Sequence, residues 1–211
     1  MFPKTVTARL RRRVLPFVVL GLAAACAEIP EPEAAVTAPP PLPVMAWDHR
    51  PESAEWTDAT LKALRSHGAP LLTEVPVDIG DWCPGYAEAS QEERAAFWAG
   101  MFSALAKHES TWNPAAVGGG GRWFGLVQIA PATARSYGCA AGSGSALQDG
   151  VANLSCAVRI AARTVLRDNA VSAGMRGLAA DWGPFHSSRK REEMRQWTRS
   201  QSYCQPGAAE S

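Results

Sequence analysis

The chain has 211 residues, 46% of them hydrophobic, with 21 Lys and Arg against 20 Asp and Glu. That is enough for one domain of ordinary size with its own core, and too evenly balanced for a chain that grips nucleic acid through a basic field. The distribution sharpens the exclusion: five of the cations and none of the acids precede Cys26, which leaves 16 against 20 and a net charge of −4 for the remainder.

In chain order, Lys4, Arg9, Arg11, Arg12 and Arg13 come first, then an apolar run over 14–22, then Ala23-Ala24-Ala25-Cys26. This order predicts a secretory signal over 1–25, its apolar part too short to span a bilayer. Cys26 after three alanines resembles a bacterial lipobox, although Ala23 stands where leucine is usual and Leu22 lies one place further back. The expectation is lipidation of Cys26, with ordinary cleavage near Ala25-Cys26-Ala27 and a soluble secreted product as the alternative. Ala27 lacks the aspartate that resembles an inner-membrane retention signal. The anchored form is therefore expected in the periplasm, on the outer membrane. Residues 26–46 read as a Pro-rich linker, because prolines as dense as Pro39-Pro40-Pro41-Leu42-Pro43 neither pair into a sheet nor continue a helix.

The folded domain is expected over 47–204, followed by a tail at 205–211. Its first helix spans 57–67, with Leu61 and Leu64 on one face and Gly68 as its stop. Ser90 to Glu93 forms a capping box, opening a helix through Phe97, Trp98, Met101, Phe102 and Leu105. A third helix covers 131–137, opened by Pro131 and stopped by Gly138. A long amphipathic one covers 148–169, with Val151, Leu154, Val158, Ala161 and Val165 inward. A short helix at 175–180, a loop at 182–184 and a last helix at 188–202 complete the series. The basic run Arg189-Lys190-Arg191 alternates with Glu192 and Glu193 and reads as a solvated helix face. No sustained two-residue alternation appears, so the class is mainly α: a compact orthogonal helical bundle with little or no sheet.

Four cysteines lie beyond Cys26 and allow three connectivities. Disulfides suit an exported chain better than free thiols. The preferred pairs are Cys139–Cys156, a local staple, and Cys83–Cys204, a tie between the two ends of the domain. No Cys-x-x-Cys pair exists and the histidines are scattered, so no metal site is expected.

The chemistry concentrates in His108-Glu109-Ser110-Thr111-Trp112-Asn113-Pro114 and in Gly125-Leu126-Val127-Gln128-Ile129. At about 100° per residue, Trp98, Phe102, Leu105 and Glu109 share one stripe of a helix. Burial and the negative end of the helix dipole both disfavour the Glu109 carboxylate, which is how a general acid is kept protonated near neutral pH. Lysozyme, whose catalytic glutamate sits in an apolar pocket, is the general example of this logic. Ser110 is a short hydroxyl able to hold the acid, Pro114 is expected to end the helix, and Gly118 to Gly121 to let backbone approach a bulky ligand. A zinc-protease motif is excluded because Trp112 occupies the place of the second histidine, and neither a phosphate loop nor a nucleophile elbow is present.

The two motifs, in this order, resemble the catalytic core of the SLT-type lytic transglycosylases and goose-type lysozymes, over about residues 88–182. The resemblance implies a lysozyme-like fold and a peptidoglycan substrate. It implies Glu109 as general acid and base cleaving the MurNAc-GlcNAc β-1,4 bond to 1,6-anhydro-MurNAc ends. Gln128 is implied to line the saccharide cleft, with Ser110, Trp123, Tyr137, Asp181 and Trp182 as further candidates for substrate contact. One departure stands out. The family commonly has Ala-Ala-Tyr-Asn-Ala-Gly-Pro late in the domain, whereas this chain has Ala179-Ala180-Asp181-Trp182-Gly183-Pro184, without the tyrosine. Asp181 facing Glu109 as a second carboxylate would give a hydrolytic lysozyme instead. A non-catalytic wall-binding or secretion-accessory protein is the reading from a different class. No metal, no organic cofactor and no nucleic acid are expected; peptidoglycan, and the membrane through an N-terminal lipid, are. A monomer is the default.

Overall fold

A computed structural model describes residues 41–207. The expected signal, Cys26 and most of the expected linker lie outside them. Packing begins at Met45 and Trp47, both buried, with the Ala46 N–H donating to Ser103 Oγ at 3.0 Å.

Helix α1 (Ser53–Arg65) starts four residues earlier than its hydrophobic pattern announced, because Glu52 at its N-cap makes no side-chain cap bond to mark the start. Gly68 then packs against α7 (Gly150–Asp168): a Cβ there would meet Val158 Cγ1 at 2.4 Å. Two short helices follow, α2 (Ala69–Thr73) and α3 (Ile79–Trp82). Helix α2 and the segment after α3 are joined to α4 by Arg94, whose guanidinium donates to the carbonyls of Leu72, Tyr86 and Ala87. Tyr86 donates its hydroxyl proton to Leu71 O and accepts from Trp98 Nε1, so a buried phenol and a buried indole satisfy each other.

Helix α4 (Gln91–Ser110) opens on the expected capping box, Ser90 Oγ accepting from Glu93 N while the Glu93 carboxylate accepts from Ser90 N. It is buried on all sides from Ala95 to Ala106, so it is the axis of the domain rather than an amphipathic surface helix. After it come a two-stranded hairpin, β1 (Val117–Gly118) and β2 (Trp123–Phe124), and then α5 (Pro131–Ser136) and α6 (Gly144–Leu147). Helix α7 is capped by Asp149 and packs against α1, α2 and α6. Where a helix was expected at 175–180, two 3₁₀ turns stand (Ala173–Met175 and Gly177–Ala180), and the expected loop at 182–184 opens a third (Gly183–His186). Helix α8 (Ser188–Arg199), capped by Ser187, closes against α4.

The architecture is the mainly α, lysozyme-like bundle anticipated, with one short hairpin as its sheet. Both preferred disulfides are present, Cys83–Cys204 and Cys139–Cys156.

Candidate active site

Glu109 lies where α4 leaves the core. Lys107 is exposed, and His108, Glu109 and Ser110 are half-buried. The helix does not run on to Pro114. It stops at Ser110 because Thr111 and Trp112 both adopt left-handed backbone, φ 54° and 55°. Two consecutive non-glycine residues there cost about 1–3 kcal/mol each and persist only if over-determined. Trp112 supplies that constraint: its indole N–H donates to Ser103 O at 2.8 Å and its ring meets His49 edge-on at 4.5 Å. Ser110 Oγ donates to Ala106 O and accepts from Asn113 N, so it builds the turn rather than gripping the Glu109 carboxyl. Among the described residues Glu109 has no ion pair and no side-chain hydrogen bond. Desolvation raises its pKa from 4.5 to about 7, opposed by the charge of Lys190.

The second motif forms a backbone turn held from beneath by one side chain. Asn153, fully buried on α7, donates to Phe124 O and Leu147 O and accepts from Val127 N, at 2.9–3.0 Å. Gly125 sits at φ 83°, where a Cβ would lie 2.0 Å from Leu147 O and 2.3 Å from Asn153 Nδ2, so only glycine fits. Gln128, also at positive φ, turns its amide back to donate to Gly125 O (2.9 Å) and Ala116 O (3.3 Å). Its Oε1 presses on Gly118, which has no room for a side chain. Gln128 thus ties the base of the hairpin to the turn. Asn153 was missed in the sequence, though a polar residue on the apolar stripe of α7, next to Leu154, was its signal.

Trp123, Gln128, Thr133, Ile160, Asp181 and Trp182 line one small pocket, so four of the expected site residues are brought together. Trp123 is 42% exposed, with the Arg122 guanidinium 4.9 Å above its ring. Trp182 is not an open platform for a sugar. It is 3% exposed, donates its indole N–H to Val127 O and packs edge-on against Phe102, locking the late 3₁₀ segment to the Gln128 turn. Asp181, exposed at the surface, lies near enough to Tyr137, Arg167 and Asp168 for their ionisation to act on its own, and desolvation is the chief cause that raises its pKa. Glu109 does not line the pocket that Asp181 shares with Gln128. Lys190, read from sequence as part of a solvated face, is half-buried and acts on Glu109.

Residues 87–176 match the family described as the transglycosylase SLT domain. The match takes in Glu109, Gln128, Tyr137 and Asn153 and stops short of Asp181 and Lys190. Among solved structures, two Glu-to-Gln mutants of Bd0314 DslA each superpose with a TM-score of 0.71 at 26% identity, and its wild-type form 2 with 0.67 at 25%. Each covers 79% of this chain and 100% of its own. No curated protein matches the chain in sequence.

Proposed function

Because residues 87–176 match the transglycosylase SLT domain and the fold is similar to that of Bd0314 DslA, we propose that this chain is a peptidoglycan lytic transglycosylase with Glu109 as its acid and base. The observation that carries the reading is a half-buried carboxyl at the end of α4, without ion pair or hydrogen bond among the described residues, with its pKa raised to about 7. Such a group is protonated and ionised in comparable amounts near neutral pH, as an acid that must become a base requires.

The Glu109 carboxyl gives its proton to the glycosidic oxygen as the bond from the muramoyl C1 to that oxygen breaks. The positive charge developing at C1 is met by the sugar's own 6-hydroxyl. Its oxygen bonds to C1 while the Glu109 carboxylate takes its proton. A 1,6-anhydro ring forms, no water is consumed, and Glu109 returns to its starting form. Trp123, exposed on the hairpin, offers a face to a sugar ring, and the pocket between Gln128 and Asp181 offers polar contacts. That Asp181 lines this pocket and Glu109 does not favours the lone-acid route over hydrolysis through a second carboxylate.

In this reading the protein is exported, lipidated at Cys26 and held at the periplasmic face of the outer membrane, where its substrate lies. The test of the catalytic claim is Glu109→Gln, which keeps shape and removes the titrating proton. Loss of at least a thousandfold in strand cleavage, with binding to purified peptidoglycan unchanged, is expected. Activity retained in that variant would refute it, and so would a wild type that binds peptidoglycan without cleaving it.

A further inference from the structure

The segment before α1 is a tight turn laid against α4. The N–H of Asp48 donates to Met45 O, that of Arg50 to Trp47 O, and the Asp48 carboxylate accepts from Met45 N. Both flanks of this turn are pinned. Trp47, fully buried, donates its indole N–H to Thr57 Oγ1 on α1 and meets Trp56 edge-on at 5.8 Å. Ala46 N–H donates to Ser103 Oγ on α4. His49 is therefore presented from a fixed stretch of backbone. Its imidazole makes no hydrogen bond or ion pair among the described residues. Instead the ring packs on Trp112, with 4.5 Å between centroids and 74° between planes.

Trp112 is tied to the same α4 residue as the entering turn. Ser103 takes Ala46 N–H on its hydroxyl and the Trp112 indole N–H on its carbonyl. The left-handed backbone of Thr111 and Trp112 then closes over the end of the helix. Thr111 N donates to Lys107 O at 3.2 Å, and Trp112 N to Ala106 O at 3.3 Å. These two bonds span residues 108–110, so Glu109 sits inside the loop of chain that they close. Left-handed backbone at two non-glycine residues persists only where its surroundings hold it. Here the Trp112 ring is held by Ser103 O, by the core it packs against and, on the exposed side, by His49.

We propose that His49 is a positioning residue for Glu109: by bracing Trp112 it keeps the left-handed turn closed and so fixes the end of α4 that carries the acid. The inference rests on Glu109 being the acid and base of the proposed reaction. His49 lies ahead of the residues 87–176 that match the transglycosylase SLT domain, so the support of the site extends beyond them. A small displacement of a reacting group is costly in rate. The fold itself does not depend on the ring, because His49 is exposed while Met45 and Trp47 are buried and hold the turn.

The test compares His49→Ala and His49→Phe with the wild type, by steady-state cleavage of purified peptidoglycan and by hydrogen exchange at the Thr111 and Trp112 amides. In H49A both amides are expected to exchange about tenfold faster or more. The same variant should lose kcat about tenfold with KM and Tm unchanged. H49F should restore both readings, because an edge-on contact needs a flat ring and not the imidazole nitrogens. Amide exchange or kcat unchanged in H49A would overturn the proposal, and so would an H49F protein as impaired as H49A. Failure of the underlying reading is a separate result, visible as activity retained in Glu109→Gln or as a wild type that does not cleave.

Discussion

Glu109 is subject to influences of opposite sign. Desolvation and the carbonyl end of α4 disfavour its charge, Lys190 favours it, and the first group wins, since the pKa stands at about 7 against an ordinary 4.5. This has a consequence for stability as well as for catalysis. The folded state binds the proton more tightly than the unfolded chain, so the stability Glu109 contributes is fully present below about pH 4.5 and is lost as pH rises through about 7. Glu109→Gln cannot ionise and escapes that loss. It is expected to exceed the wild type in stability by about 3 kcal/mol at pH 8 and to match it at pH 4, measured by denaturant unfolding at both values. A variant no more stable at pH 8 would show that the carboxyl is not desolvated. Glu109 was legible because acid, helix end and apolar neighbours are all written locally. Lys190 was not: the pattern around it is that of a solvated helix, and only the fold brings its charge to act on Glu109.

The elements that were legible are those that announce themselves over several turns. The Ser90 and Glu93 box and the Asp149 cap mark the starts of α4 and α7, and their apolar content carries them through nineteen or twenty residues. Helices α2, α3 and α6, of four or five residues, are too short for a periodicity, and β1 and β2 have two residues each. The 3₁₀ turns at 173–186 owe their shape to distant groups. Asp78 accepts from the N–H groups of Val171, Ser172 and Ala173, and Trp182 reaches Val127 O. The same dependence governs the Gly125 to Gln128 turn, which hangs on Asn153. Asn153→Ala strips three buried backbone groups of their partner and should cost about 3 kcal/mol. Activity in that variant should fall further than its folded fraction, because the turn that carries Gln128 loses its support. An unfolding midpoint and a cleavage rate both unchanged would contradict that account.

Across the whole molecule, the two disulfides act on very different stretches of chain. Cys83–Cys204 joins residues 121 apart and ties the segment after α3 to the last turn, whereas Cys139–Cys156 spans 17 residues from the α5 exit to α7. The chain-entropy argument gives about 3 kcal/mol for the short loop and nearer 5 for the long one. Replacing Cys83 and Cys204 by serine should therefore lower Tm more than replacing Cys139 and Cys156; the reverse order would show that the local staple, next to Asn153, carries the greater load. Beyond stability, the proposed reaction gives the chemistry to a single titrating carboxyl, that of Glu109. That proposal predicts which product should form. The decisive measurement is mass spectrometry of the fragments released from purified peptidoglycan by the protein. Muropeptides ending in 1,6-anhydro-muramic acid, lighter by one water, are the expected result. Reducing ends in their place would contradict the account and require a group that activates water.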